Sequence, residues 1–291
     1  MSTVILLLVT GLGLGAVYFL VSSGLSLIYG LMGVLNFAHG SFLTLGAFAG
    51  WEIGRRIGDG SWFSLIISLI VGLVVGALFA AATEFVLIRR LYERHIEQVL
   101  VTVGLALATV ALFEGIWGTD AIYVNGPAWL GQTTNILGAA IPNNRFLLIA
   151  CAVLVLIGIV LFLTKTRYGL IIRAGVENRA MVTALGIDVR RAFTLVFAIG
   201  GAAAGLGGVL ASHYTGYVSP QLGASLLIFA FIVTVIGGLG SLAGAAIASV
   251  LVAVLQQFAN FYLFGTGDLV VVLLLALVLL VRPRGLMGVK A

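Results

Sequence analysis

The chain has 291 residues, of which 62% are hydrophobic and only 9% charged, with a formal net charge of +5 at pH 7. Soluble domains carry roughly 45–50% apolar and about 25% charged residues. So few charges cannot cover a globule of this size, which excludes soluble enzymes and nucleic-acid binders. The basic residues fall in short segments between apolar runs, as in the loops of a membrane protein, so the lipid bilayer is an expected partner and nucleic acid is not.

The first apolar run, 4–29, has no Lys or Arg before Arg55 and is too long for a signal-peptide core, so it reads as a retained first span. Further runs follow at 36–51, 62–88, 99–117, 146–163, 193–212, 226–236, 245–262 and 269–281. A helix needs about 20 residues to cross a hydrocarbon core of roughly 30 Å. The runs do not alternate as the strands of a membrane barrel would. The expectation is an all-α polytopic membrane protein with about eight to ten transmembrane or half-spanning helices. The runs beginning at Asn36, Leu226 and Leu269 are short enough to be tilted, broken or half-spans. The whole chain, 1–291, reads as a single transmembrane domain.

Counting Lys and Arg on alternate sides gives twelve on one face, from Arg89 to Lys290, against Arg55, Arg56 and Arg145 on the other. That asymmetry predicts an N-terminus outside and a cytoplasmic C-terminus. The longest cytoplasmic segment is then 165–191, and the longest outer one, 118–145, is polar and lacks strong periodicity.

Glycine is abundant, at 39 residues, with Gly-x-x-x-Gly pairs at 11/15, 46/50, 72/76, 201/205 and 240/244. Such pairs suit close helix packing inside one chain, or dimerisation. Glycines cluster at 30–46 and 237–244, and the two regions look like corresponding parts of two halves. Gly40, Gly237, Gly238, Gly240 and Gly244 are expected to mark helix breaks beside a substrate path.

Chemistry is sparse. No phosphate-binding Gly-x-x-x-x-Gly-Lys-Ser/Thr loop occurs, so the chain is not expected to hydrolyse ATP. The single Cys151 rules out an intrachain disulfide, the three histidines are too scattered for a metal site, and no cofactor is expected. Glu84, Glu114 and Asp268 lie near span ends and read as solvated or interfacial carboxylates. Asn36 is placed to cap a helix, with His39 one turn in. Two readings stand: a capped, broken helix with a hydrogen-bonded histidine, or a half-helix whose positive end, with Asn36, His39 or Ser41, lines a substrate path.

The stretch Gly24-Leu-Ser-Leu-Ile-Tyr-Gly30, followed by Val34-Leu-Asn-Phe-Ala-His-Gly-Ser-Phe-Leu-Thr-Leu-Gly-Ala47, resembles the N-terminal signature of the inner-membrane permeases of branched-chain amino acid ABC importers. The segment from Arg173 to Asp188, and the glycine-rich blocks at 202–210 and 237–244, are similar to that family as well. The resemblance implies a multi-pass subunit of a bacterial-type inner membrane. It implies a second homologous permease, two cytoplasmic ABC ATPase subunits and a soluble substrate-binding protein as partners. It also gives 165–191 the role of the segment that docks on the ATPase, through Glu177, Asn178, Ala180, Ala184, Gly186, Ile187 and Asp188. Such docking helices often carry Glu-Ala-Ala, three further residues, then Gly; here only Ala180 and Gly186 match. The implied cargo is a branched-chain or other small amino acid, with urea or a short amide as the alternative within the family. A secondary transporter working without an ATPase is the rival outside it.

Overall fold

Residues 2–33, 36–58, 60–92, 94–184, 186 and 189–288 are described by the computed structural model. Among them are ten α-helices: α1 (Ser2–Met32), α2 (His39–Ile57), α3 (Trp62–Val86), α4 (His95–Trp117), α5 (Asn144–Lys165), α6 (Arg167–Ala184), α7 (Val189–Thr215), α8 (Leu222–Gly237), α9 (Leu242–Tyr262) and α10 (Gly267–Val281). Nine of them coincide with the nine apolar runs, and α6 takes up most of the basic segment 165–191. Six, namely α1, α3, α4, α5, α7 and α9, are long and apolar enough to cross a membrane; α8 and α10 have only 16 and 15 residues. The protein is therefore an all-α polytopic membrane protein. Helices α4 and α5 are apolar on nearly every side, and Leu100, Leu112, Leu154 and Leu161 stand exposed, as expected where lipid replaces water.

The segment between α4 and α5, expected to be irregular, carries short strands. β1 (Ile122–Tyr123) pairs antiparallel with β4 (Tyr217–Val218), and β2 (Thr133–Ile136) forms a hairpin with β3 (Ala139–Pro142). Leu137 and Gly138, both with positive φ, make its two-residue turn.

The core is built by α1, α2, α3 and α7, which bury Leu20, Phe42, Phe48, Phe193 and Phe197. Helix α7 runs antiparallel to α3, with Gly201 against Gly76 and Gly205 against Gly72, and parallel to α2, with Gly46 against Gly205 and Gly50 against Val209. The Gly-x-x-x-Gly pairs thus serve packing inside the chain: with no hydrophobic drive between helices in lipid, small residues allow the close backbone approach that dispersion needs. On the other side, Gly11 and Gly15 of α1 meet Val254 and Ser249 of the antiparallel α9, while α8 runs parallel to α1.

These directions define two inverted halves. Each is a long helix (α1 or α7), a connector, a short helix (α2 or α8), a tight turn and a second helix (α3 or α9). The repeat expected from glycine clustering pairs differently from the sequence reading: the counterpart of 238–241 is 58–61, not 30–46. Gly58 and Gly238 terminate α2 and α8 with φ 129° and 103°, and Gly60 and Gly240 follow at 87° and 83°. Ser61 then caps α3 by accepting from Ser64 N, and Ser241 caps α9 by accepting from Gly244 N, each at 3.0 Å. The 30–46 cluster is instead divided between two helices, with Gly30 in α1 and Gly40 and Gly46 in α2.

Candidate functional site at the junction of two half-helices

The break before α2 carries the chain back into the bundle. His39, the first residue of α2, lies beside Val21 and Gly24, about 12 Å short of the end of α1 at Met32. Helix α8 begins at the same depth, because Gly40 and Gly223, the second residues of the two helices, touch backbone to backbone. A Cβ on Gly40 would fall 2.6 Å from the Gly223 carbonyl oxygen, and one on Gly223 would overlap the Gly40 carbonyl, so both positions need glycine. Two half-helices therefore start back to back within the bundle and run to opposite ends. Their positive N-terminal ends converge there.

Asn36 is 3% exposed, and its side chain does not sit at the N-cap as the sequence suggested. Ala38 holds that position; Asn36 lies two residues earlier, its Oδ1 accepting from Ala38 N at 3.1 Å and its carbonyl accepting from His39 N at 3.2 Å. The cap fails because the turn needs the amide as an Asx link before the helix begins. The Nδ2 of Asn36 has no partner among the described residues. His39 is fully buried and opens α2 rather than sitting one turn in. Its Nε2 lies 3.0 Å from the Val21 carbonyl, which can only accept, so Nε2 is the donor, and Nδ1 has no partner among the described residues. The imidazole thus ties α2 to α1.

Ser41 faces another way. Its Oγ lies 2.5 Å from Thr109 Oγ1 on α4; Thr109 gives its own proton to the Ala106 carbonyl at 2.9 Å, which leaves Ser41 as donor. Thr44 joins the half-helices: it accepts from Gly223 N at 2.9 Å and donates to the Gly40 carbonyl at 3.2 Å, satisfying a free N–H of α8. Between α2, α4 and α8 is a cavity of about 170 Å³ lined by Ser41 and Thr44, Leu107 and Val110, and Ala224 and Leu227. Its walls are mostly aliphatic, with two hydroxyls and two helix N-termini at one side. Asn36 and His39 flank this cavity rather than line it; Ser41 lines it.

Of the glycines expected at helix breaks, Gly40 makes the junction and Gly238 and Gly240 form the α8–α9 turn, where Gly237 packs on Gly244. That turn is covered by the C-terminal segment, whose Leu286 and Met287 N–H groups donate to the Ile236 and Gly237 carbonyls at 2.8 and 2.9 Å.

Most of the basic segment forms one helix, α6, from Arg167 to Ala184. Glu177, Asn178 and Ala180 lie within it, but their side chains, and all of Ile187 and Asp188, fall outside the described residues. Ala184 ends α6 and is exposed; Gly186 is exposed in a turn at φ 77°. Leu170, Arg173, Met181 and Ala184 recur at helical spacing on one exposed face, while Ile172 and Val182 anchor the other.

Two carboxylates behave as expected: Glu114 accepts from Gln221 Nε2 and exposed Asp268 from Gln256 Nε2. Glu84 does not. It is fully buried at the end of α3, in an ion pair with Arg89. No group of three His, Cys, Asp or Glu able to hold a metal occurs among the described residues.

A family model described as the permease component of branched-chain amino acid transport systems matches residues 7–282. The high-affinity branched-chain amino acid transport system permease protein BraD of Pseudomonas aeruginosa is 30% identical over 97% of this chain and 94% of its own. The corresponding permease protein LivH of Escherichia coli K12 is 27% identical over 96% of this chain and 93% of its own. LivM of the same organism is 26% identical, covering 93% of this chain and 68% of LivM. No solved structure matches.

Proposed function

The chain belongs to the family of branched-chain amino acid transport system permease components, and from that premise we propose that it is one of two permease subunits of an ATP-driven importer, with hydrolysis in separate cytoplasmic ATPases and substrate delivered by a soluble binding protein. It is a multi-pass inner-membrane protein and a transport component rather than an enzyme. The directions of the helices support the orientation: they bring Arg89, Arg90, Arg94, Arg173, Arg282 and Arg284 to one end of the bundle, and Arg55, Arg56 and Arg145 to the other. The first end is cytoplasmic.

The observation that carries the ATPase coupling is α6. It projects Leu170, Met181 and Ala184 outward at the basic end, where an apolar face with Arg173 in it fits a protein groove better than water. The LivH and LivM pair supports a second permease as the other half of the path.

Substrate passes the junction of α2 and α8. The two helix N-termini favour a carboxylate, while the aliphatic wall from α4 and α8 accepts the side chain of a branched-chain amino acid. Purification of the complex from native membranes, followed by uptake of radiolabelled leucine and urea in vesicles, tests the reading. An ATPase partner and leucine uptake are expected. A chain that transports with no P-loop ATPase present would overturn the coupling, and uptake of urea alone would replace the amino acid with a short amide.

A further inference from the structure

Glu84 is the one carboxylate that the sequence reading misplaced, and its surroundings bind three segments together. Its side chain is 0% exposed. Arg89 donates to it through Nε and Nη2, both at 3.2 Å, the Tyr92 hydroxyl donates to Oε1, and Thr194 Oγ1 donates to Oε2 at 2.7 Å. Arg89 Nη2 also reaches Thr194 Oγ1 at 2.8 Å and its guanidinium lies over the Phe85 ring, while Tyr92 stands edge-on to Phe193. Burial and the Glu84 carboxylate both push the Tyr92 phenol well above its ordinary range, which keeps it a donor. Glu84 belongs to α3, Arg89 and Tyr92 to the turn after it, and Thr194 to the second turn of α7.

Buried ion pairs add little stability over apolar residues of the same shape, and their best-attested use is to fix one arrangement. Here the arrangement joins the start of α7, immediately after α6 and its turn, to the end of α3. From that point α7 is packed against α3 by Gly76 with Gly201 and Gly72 with Gly205, and against α2 by Gly46 with Gly205. Contacts this close cannot be compressed, so a shift at the start of α7 moves α3 and α2 with it.

We propose that Glu84 and Thr194 are positioning residues of the transport cycle: they lock the start of α7 to α3, so that displacement of α6 by the ATPase is delivered to α2 and the cavity at its N-terminus. The proposal rests on the reading that α6 docks on an ATPase.

The test uses the assembled complex in proteoliposomes with binding protein and leucine, in wild type, Thr194→Val, Thr194→Ser and Glu84→Gln, each also carrying Ala184→Cys for cross-linking to the ATPase. Thr194→Val keeps the shape and removes the donor. The expected result is normal cross-linking and continued ATP hydrolysis, with leucine imported per ATP falling at least threefold in Thr194→Val and Glu84→Gln and returning in Thr194→Ser. If Glu84→Gln does not assemble, the two Thr194 variants decide. An unchanged ratio in Thr194→Val, with the cross-link present, overturns the lock and leaves the docking reading standing, even if thermal stability drops. Absence of the cross-link in wild type overturns both.

Discussion

The units α2–α3 and α8–α9 share a backbone and differ in what holds them. In the first, Ser64 and Ser68 of α3 donate to the Gly54 and Gly50 carbonyls of α2, at 3.1 and 2.7 Å. In the second there are no such straps among the described hydrogen bonds; Gly237 and Gly244 touch directly, and a Cβ on Gly237 would lie 2.5 Å from the Gly244 carbonyl carbon. Their free N-termini differ likewise. Helix α2 is preceded by Asn36 and opens with His39 and Ser41, whereas α8 opens with Leu222 and Gly223 and takes its cap from Thr44 of α2. Inverted repetition sets the shape of the junction twice, and the polar chemistry resides in one copy.

Substitutions at matched positions separate shape from chemistry. The largest effect is expected at the junction, which both units share. Gly223→Val would drive a side chain into the Gly40 backbone, and overpacking of this kind costs about 1–3 kcal/mol or more. Uptake and assembled yield should both be lost, while Gly158→Ala on α5, with nothing within 4 Å, should leave both unchanged. Normal assembly of Gly223→Val would show that the half-helices do not meet as described.

A smaller difference is expected between the two turns. Gly58 and Gly238 both have positive φ, which costs an L-residue roughly 1–2 kcal/mol. Only Gly238 also faces the Gly288 backbone, whose nitrogen would lie 2.5 Å from an added Cβ, whereas Gly58 has open space. Gly238→Ala should therefore lower thermal stability more than Gly58→Ala, and equal melting temperatures would remove the C-terminal segment from its place on the turn. The smallest change belongs to the straps: Ser68→Ala gives up one hydrogen bond, on the order of 1 kcal/mol. Uptake per assembled complex should stay near wild type, and a collapse of uptake there would mean that the first unit moves against itself during transport.

Much of this was legible in the chain. Apolar runs located the nine bundle helices because burial in lipid imposes length and composition on each span. The break before α2 and the place of Ser41 near its start followed from polar residues where lipid tolerates none. What escaped had non-local causes. Gly58-x-Gly-Ser and Gly238-x-Gly-Ser were readable as a repeat, but 58–61 lies in a polar turn beside Arg55 and Arg56, so it did not stand out as membrane structure. Glu84 looked interfacial because its partner Thr194 is 110 residues away. The N-cap at Ala38 depended on an Asx turn that competes with the helix for the Asn36 side chain.

The central claim is that the meeting point of α2 and α8 lies on a water-accessible path rather than against lipid. It is tested most directly by thiol labelling of Ala224→Cys, at the cavity, and Leu154→Cys, on the exposed face of α5, both in a Cys151→Ser background. In membranes holding the full complex, a water-soluble thiol reagent should label Ala224→Cys at a rate that changes with ATP and substrate-loaded binding protein, and should leave Leu154→Cys unlabelled. Failure to label Ala224→Cys in every state, as for Leu154→Cys, would place the cavity in lipid and contradict the account.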